Sequence, residues 1–243
     1  MNIFNFLKKP PPALPPISVD MHSHILPGLD DGSGNPDQSI EMIKVLIGLG
    51  FKKLITTPHI MGDYYKNTPE IILSKFNELK EIIKERKIDI VLETAAEYYL
   101  DEWFIQKLKN EEKLLTFGDN YLLFETSYLN APVMLNEAIF LMRSAGYKPI
   151  IAHPERYTYL YSDFQKYKNL LQQEVFIQLN TISLSGYYSK MAKKIAHKLI
   201  DNNMIHFVGS DLHSTKQAAL LKSAMKTKYY RKVLGMDLIN NRL

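Results

Sequence analysis

Cysteine does not occur anywhere in the 243 residues. Its absence excludes disulfides, thiolate metal sites and a cysteinyl-phosphate intermediate together. Long apolar runs are missing as well: nothing approaches the roughly 20 consecutive apolar residues of a membrane helix, and the N-terminus lacks the apolar core of a secretion signal. The expectation is a cytoplasmic protein with no stable membrane insertion. A large excess of either sign of charge is missing too, since 30 basic and 26 acidic side chains leave a net +4. That excess is too small and too evenly spread to favour nucleic acid, whereas a modest positive field suits anionic substrates.

The composition, 46% hydrophobic and 23% charged, is that of an ordinary globular protein, and the length suits one α/β barrel domain. Residues 1–16 stand apart. They hold a short apolar piece, Ile3 to Leu7, then Lys8, Lys9 and five prolines between Pro10 and Pro16, which reads as an extended tether. Phe4 and Phe6 offer the alternative of docking on the domain or a partner. The domain proper is expected over residues 17–243.

From Ile17 onward, strand-like and helix-like segments alternate. Apolar or β-branched runs at 17–19, 51–57, 88–95, 121–124, 148–152, 175–180 and 205–210 predict seven strands. Helical spacing over 36–49, 69–87, 100–108, 132–145, part of 157–171 and 189–202 predicts the crossovers between them. Such alternation implies parallel strands, and seven repeats predict a distorted (β/α)7 TIM-like barrel in a single domain.

Polar residues then fall in one structural position. His22 and His24 follow the first strand two residues apart, so their imidazoles point the same way. Asp30, Asp31 and Gly32 follow in a turn, where short carboxylates fold back and glycine supplies backbone freedom. His59, Glu97, Glu125, His153, Asp211 and His213 each lie at or just past the C-terminal end of a predicted strand. In a parallel barrel those ends share one face, the face on which such folds place their active sites. Each residue alone has a structural explanation, such as a solvated strand end or, for Asp211, a helix cap. Five of seven histidines at the same position do not scatter there by chance. His197, on a helix, and His206, within the last strand, are the two that stand elsewhere.

Nitrogen and carboxylate donors without sulfur suit zinc, manganese or iron. Since one ion takes about three protein ligands, eight or nine donors imply two or three ions, with Glu97 able to bridge. Such a cluster binds phosphate oxygens and acidifies a water to a hydroxide nucleophile, which is metal-assisted hydrolysis. Arg156, three residues beyond His153, adds a planar cation matched to phosphate.

The segments Asp20-x-His22-x-His24-Ile-Leu-Pro-Gly-x-Asp30-Asp31-Gly32, Thr57-Pro58-His59, Ala96-Glu97, Glu125, Ala152-His153-Pro154-Glu155-Arg156 and Ser210-Asp211-x-His213 resemble the polymerase and histidinol phosphatase (PHP) superfamily. Within it the chain is most similar to bacterial manganese-dependent protein tyrosine phosphatases that partner tyrosine kinases of capsule and exopolysaccharide synthesis. The resemblance runs from Ile17 to His213. It implies hydrolysis of phosphotyrosine on a protein, a kinase tail being the expected partner, with manganese as cofactor and iron or zinc as substitutes. It further implies one ion on His22, His24, Glu97 and Asp211, a second on Glu97, Glu125 and His153, and a third on Asp31, His59 and His213, with Arg156 on the phosphate. One departure is Ser214-Thr215-Lys216 where the family often has a second arginine; Lys216 would serve only as a point charge. The alternatives are a small-molecule phosphatase such as histidinol phosphatase, a non-catalytic metal-stabilised binding module, and an amidohydrolase, which Glu125 and Asp211-x-His213 fit less well.

Overall fold

The computed structural model describes residues 16–243, so the expected N-terminal tether, with Phe4 and Phe6, lies outside the described residues except for Pro16. Among the described residues there are nine short strands: β1 (Val19–Asp20), β2 (Lys53–Thr56), β3 (His59–Ile60), β4 (Val91–Thr94), β5 (Glu97–Tyr99), β6 (Tyr121–Glu125), β7 (Lys148–Ile151), β8 (Phe176–Asn180) and β9 (Phe207–Gly209). All pair in parallel, in two ladders ordered β1-β2-β4 and β3-β5-β6-β7-β8-β9. Helices fill the crossovers: α1 (Pro36–Gly48), α2 (Pro69–Glu85), α3 (Glu102–Lys109), α4 (Leu135–Ser144), α5 (Gln165–Gln172) and α6 (Lys190–Asp201). Two more, α7 (Ala218–Met225) and α8 (Lys228–Leu234), follow the last strand.

Two of the expected strands, 51–57 and 88–95, are each followed after a break by a further short strand, and the breaks lie side by side. Pro58 has no N–H to give a ladder, so the 51–57 strand stops at Thr56 and resumes at His59. Its neighbour changes ladder at the same level: Ala95 N still donates to Thr56 O at 2.9 Å, whereas Glu97 N donates to Pro58 O at 3.1 Å. The first strand is short for a related reason. Beyond Asp20 the chain turns to the far end of the sheet, where Asp211 N donates to His22 O (2.8 Å) and His24 N to Leu212 O (3.0 Å). The parallel sheet therefore curls until its first and last segments touch.

Alternation along the strands divides the apolar residues between two cores. Val19, Ile55, Leu123, Ile150 and Phe207 face inward and pack together inside the curl with Met21 and Ala152. Leu54, Leu122, Phe124, Ile177, Leu179 and Val208 face outward and meet the helices. The helices start where local chemistry dictates. Pro36 and Pro69 occupy first-turn positions, and Asn35, Thr68, Asp101 and Ser189 cap free N–H groups of α1, α2, α3 and α6. Among the described residues no helix is long and apolar enough to cross a membrane.

Candidate metal centre

Above the inner core, the strand ends bring all nine expected ligands to one place. Imidazole and carboxylate atoms fall into four overlapping sets: His24, Asp31, His59 and His213; His22, His24 and Asp211; His22, Glu97 and His153; His59, Glu97 and Glu125. Within each set the donor atoms lie within 4.8 Å of one another. His22, His24, Glu97, Glu125, His153 and Asp211 are buried, while His59, His213 and Asp31 line the open side. The groupings differ slightly from the implied ones. His59 reaches Glu97 and Glu125 (3.2 and 3.3 Å) as well as Asp31 (3.6 Å), and His153 sits nearer Glu97 (3.1 Å) than Glu125 (3.9 Å).

Backbone geometry makes this crowding feasible. A Cβ on Gly32 would stand 2.2 Å from His24 O, and one on Gly209 would stand 2.6 Å from His22 Cβ, so both positions require glycine to let the chain pass the histidines. His153 and Asp211 adopt left-handed backbone (φ 34° and 51°), an unfavourable conformation for such residues that aims both side chains inward.

Residues beyond the expected set orient the ligands. Gln178 Oε1 accepts from the backbone N–H of His153 (3.0 Å) and must therefore also accept from His22 Nδ1 (3.2 Å). Asp30 Oδ2 accepts from His24 Nδ1 (2.8 Å) and from the N–H of His59 (3.0 Å). With both Nδ1 atoms so engaged, it is the neutral form of the His22 and His24 rings, the form a metal would take, that directs both Nε2 lone pairs into the 3.3 Å gap between them, with Asp211 Oδ1 3.4 and 3.3 Å away. Three electron-rich atoms facing one another in a buried space fit a cation between them. Asn180 Nδ2 (2.7 Å) and Arg156 (2.8 Å) donate to Asp211 Oδ2, leaving Oδ1 for the centre. Gln178 and Asn180 were legible in principle, because Phe176-Ile177-Gln178-Leu179-Asn180 alternates apolar and amide residues in a buried strand.

The electrostatics report the same crowding. Burial alone would lower the His22 pKa, but Glu97 and Asp211 outweigh it and raise it. His24 is raised well above the ordinary value against its own burial, mainly by Asp30 and Asp211. His59 is pushed down to about 4 by burial and by the charge on His24. Glu125 is raised by burial and by its neighbours Glu97 and Asp211, whereas Glu97 is held low, despite burial, by His22 and His59. Protons on the histidines thus balance the buried carboxylates where a metal would otherwise do so.

A cavity of about 420 Å³ opens over the centre, inside the range of roughly 300–1,000 Å³ usual for small-molecule sites. Arg156 forms one wall, its guanidinium held between the rings of Tyr128 (4.6 Å) and Tyr188 (4.0 Å). Lys216 is exposed on a 3-10 turn, and its neighbour Gln217 faces the cavity in its place, accepting from His213 N at 2.7 Å. His197 and His206 stand apart from the centre. His197 stacks on Tyr229 at 3.5 Å, and His206, just ahead of β9 rather than inside it, accepts from Ile177 N at 3.1 Å.

The family model described as capsular polysaccharide synthesis, CpsB/CapC, matches residues 18–241. CapC of Staphylococcus aureus is 31% identical over 93% of this chain and 90% of its own length. The tyrosine-protein phosphatase YwqE of Bacillus subtilis is 30% identical over 82% of this chain and 78% of its own. A solved chain from the work on Bacillus subtilis YwqE and Streptococcus pneumoniae CpsB, described as unique metal-dependent tyrosine phosphatases, superposes with a TM-score of 0.76 at 28% identity. It covers 89% of this chain and 91% of that one. An amidohydrolase from Mycoplasma synoviae shares the fold at 13% identity, with a TM-score of 0.54 over 93% of this chain and 88% of that one.

Proposed function

The chain belongs to the CpsB/CapC family of capsular polysaccharide synthesis, and from that membership and the centre's geometry we propose that it is a metal-dependent tyrosine-protein phosphatase. The convergence of nine nitrogen and oxygen donors in four overlapping sets carries this reading. His22, His24, Asp31, His59, Glu97, Glu125, His153, Asp211 and His213 hold two or three ions, manganese by preference because mixed imidazole and hard carboxylate donors suit it. Iron and zinc are the substitutes. Bound there, the ions supply positive charge to the phosphate oxygens and acidify a water to serve as nucleophile. The natural substrate is a phosphotyrosyl protein, a tyrosine kinase of capsule or exopolysaccharide synthesis, and the site of action is the cytoplasm. The nine strands count as the seven staves of a (β/α)7 barrel, β2 with β3 and β4 with β5 each forming one broken stave.

The chain's own groups do the rest. Asp30 and Gln178 fix the His24 and His22 rings so that only Nε2 faces the centre, and Asn180 turns Asp211 Oδ1 the same way. Arg156, clamped between two aromatic rings, is preorganised on the cavity wall to pair with phosphate oxygens without further loss of side-chain freedom. The tyrosine oxygen leaves as a phenolate of pKa near 10, which needs less proton assistance than an alkoxide. Metal analysis together with parallel turnover of a phosphotyrosyl peptide and histidinol phosphate tests the proposal. Metal-dependent turnover of the peptide, well above that of histidinol phosphate, is expected. The reverse preference would make the chain a small-molecule phosphatase.

A further inference from the structure

Helix α6 begins at the rim of the cavity. Tyr187 and Tyr188 line the cavity wall, Ser189 caps the helix, and Lys190 is its first residue. Lys190, Lys194 and Lys198, four residues apart, with Lys193 beside Lys194, then share one face with His197 and border a groove of about 550 Å³ flanked by Tyr229 of α8. Only Ser189 separates Tyr188 of the cavity wall from Lys190, the first residue of the groove. A Cβ on Gly186 would lie 3.3 Å from Lys193 Cδ and 3.9 Å from its Nζ, so this ammonium folds back over the residue preceding Tyr187. The groove's acidic member, Asp201, lies at its distal end and is already engaged by Lys232 (2.5 Å) and the Tyr229 hydroxyl (2.9 Å). Among the described residues no carboxylate forms an ion pair with any of the four lysines.

Four like charges on adjacent turns repel one another, a cost that an anionic partner would reverse. The low net charge of the chain makes the concentration local rather than global. We infer that this lysine face is a docking surface for an acidic polypeptide segment flanking the phosphotyrosine of the protein substrate. The inference rests on the proposed phosphatase reading, because it is the phosphate seated in the cavity that places the flanking chain on the helix. From Lys190 to Lys198 the helix rises about 12 Å, which an extended segment of roughly four residues spans. Acidic side chains on such a segment would meet the ammonium groups one turn at a time.

The test compares two phosphotyrosyl peptides, one with Asp and Glu beside the phosphotyrosine and one with Asn and Gln in their place, together with a small aryl phosphate. For the metal-loaded wild type, kcat/KM should favour the acidic peptide by about tenfold, through KM, and the preference should fade as salt is raised. In Lys190→Glu/Lys194→Glu the preference should vanish while the aryl phosphate turns over as before, since neither lysine lines the cavity. Equal treatment of the two peptides by wild type, or an undiminished preference in the variant, overturns the inference and leaves the phosphatase reading standing. Fluorescence anisotropy with the unphosphorylated acidic peptide needs no turnover. If the small ester is hydrolysed but neither peptide is, the tyrosine-protein phosphatase reading fails, and lysine-dependent binding of that labelled peptide then supports or sinks the docking surface alone. Co-sedimentation of the protein with phosphatidylglycerol vesicles through the same lysines, without peptide binding, assigns the face to a membrane and overturns the inference.

Discussion

At Arg156, the proposed recognition of phosphate and the observed support of Asp211 fall to one side chain. Its guanidinium lies on the cavity wall as the His-Pro-Glu-Arg segment leads one to expect, but it also donates to Asp211 at 2.8 Å, so it is not independent of the ligand set. Arg156→Ala should cost about 2 to 4 kcal/mol of transition-state stabilisation, roughly 30- to 1,000-fold in kcat/KM, and a smaller fall in metal occupancy should accompany it. Arg156→Lys should fall between, because a point charge reaches phosphate without the bidentate fork. Wild-type turnover by metal-replete Arg156→Ala would remove the residue from the reaction. Its neighbour Glu155 plays a different part, and the sequence hid it. The side chain is fully buried, Oε1 accepting from Asn180 N (3.0 Å) and Ser183 Oγ (2.6 Å) while Oε2 has no partner, and burial pushes its pKa up from 4.5 to about 7. Between those two values the folded chain keeps a proton that the unfolded chain has lost, so this group's contribution to stability falls as pH rises through the window and levels off above it. Glu155→Gln keeps the accepting oxygen without the charge. Denaturant midpoints measured across that window should fall less steeply with pH for the variant, with the variant the more stable of the two at the alkaline end; parallel pH curves would refute the assignment.

Elements explain why the ligands were easier to read than the scaffold around them. Every candidate ligand except Asp31, which sits in a turn, follows a run of apolar or β-branched residues, a signal that survives even where the strand itself breaks, as before His59 and Glu97. The break at Pro58 was written in the sequence, whereas the one at Ala95-Ala96 was not, because alanine neither favours nor forbids the change of ladder that its neighbours impose. Helices α7 and α8 were missed for a related reason. They span 8 and 7 residues, each burying two residues, Leu221 with Ala224 and Tyr230 with Val233, too few for a period to show. The closing seam was invisible because it depends on an amide far along the chain. Asn240 Nδ2 donates to Val19 O (3.0 Å) and Val208 O (2.8 Å), and its Oδ1 accepts from Val208 N (2.9 Å), joining β1 to β9 where no strand pairing does so. Asn240→Leu fills similar space but strands three buried backbone groups. It should destabilise the fold by about 2 to 5 kcal/mol, read as a lower denaturant midpoint. A change under about 0.5 kcal/mol would mean that the seam holds without the amide.

For the whole molecule, the ring of strand ends sets its own stability against its chemistry. Folding brings Glu97, Glu125 and Asp211 out of water and next to one another, an arrangement that costs free energy unless positive charge accompanies it. Protons on His22 and His24 supply that charge in part; ions held as proposed would supply it more fully, and the proposed ligands belong both to the last segment of the ring, Asp211 to His213, and to the first, His22 to His24. Ion binding should therefore clamp the closure of the fold as well as enable turnover. At a free metal concentration about 100-fold above the dissociation constant, one ion stabilises the folded state by about 2.7 kcal/mol, and for a domain of this size that raises Tm by roughly 5 to 10 °C. Chelation should lower Tm by at least that amount and abolish phosphatase activity in the same titration, and manganese should restore both more fully than calcium, whose larger, oxygen-preferring coordination fits the imidazole-rich set poorly. Thiol alkylation should change neither, as there is no cysteine to modify. Full activity in protein stripped of metal, verified by elemental analysis, would refute the proposed chemistry. Loss of activity with an unchanged Tm would keep the chemistry and remove the structural clamp, confining the ions to the cavity wall formed by Asp31, His59 and His213 rather than the buried seam between His22, His24 and Asp211.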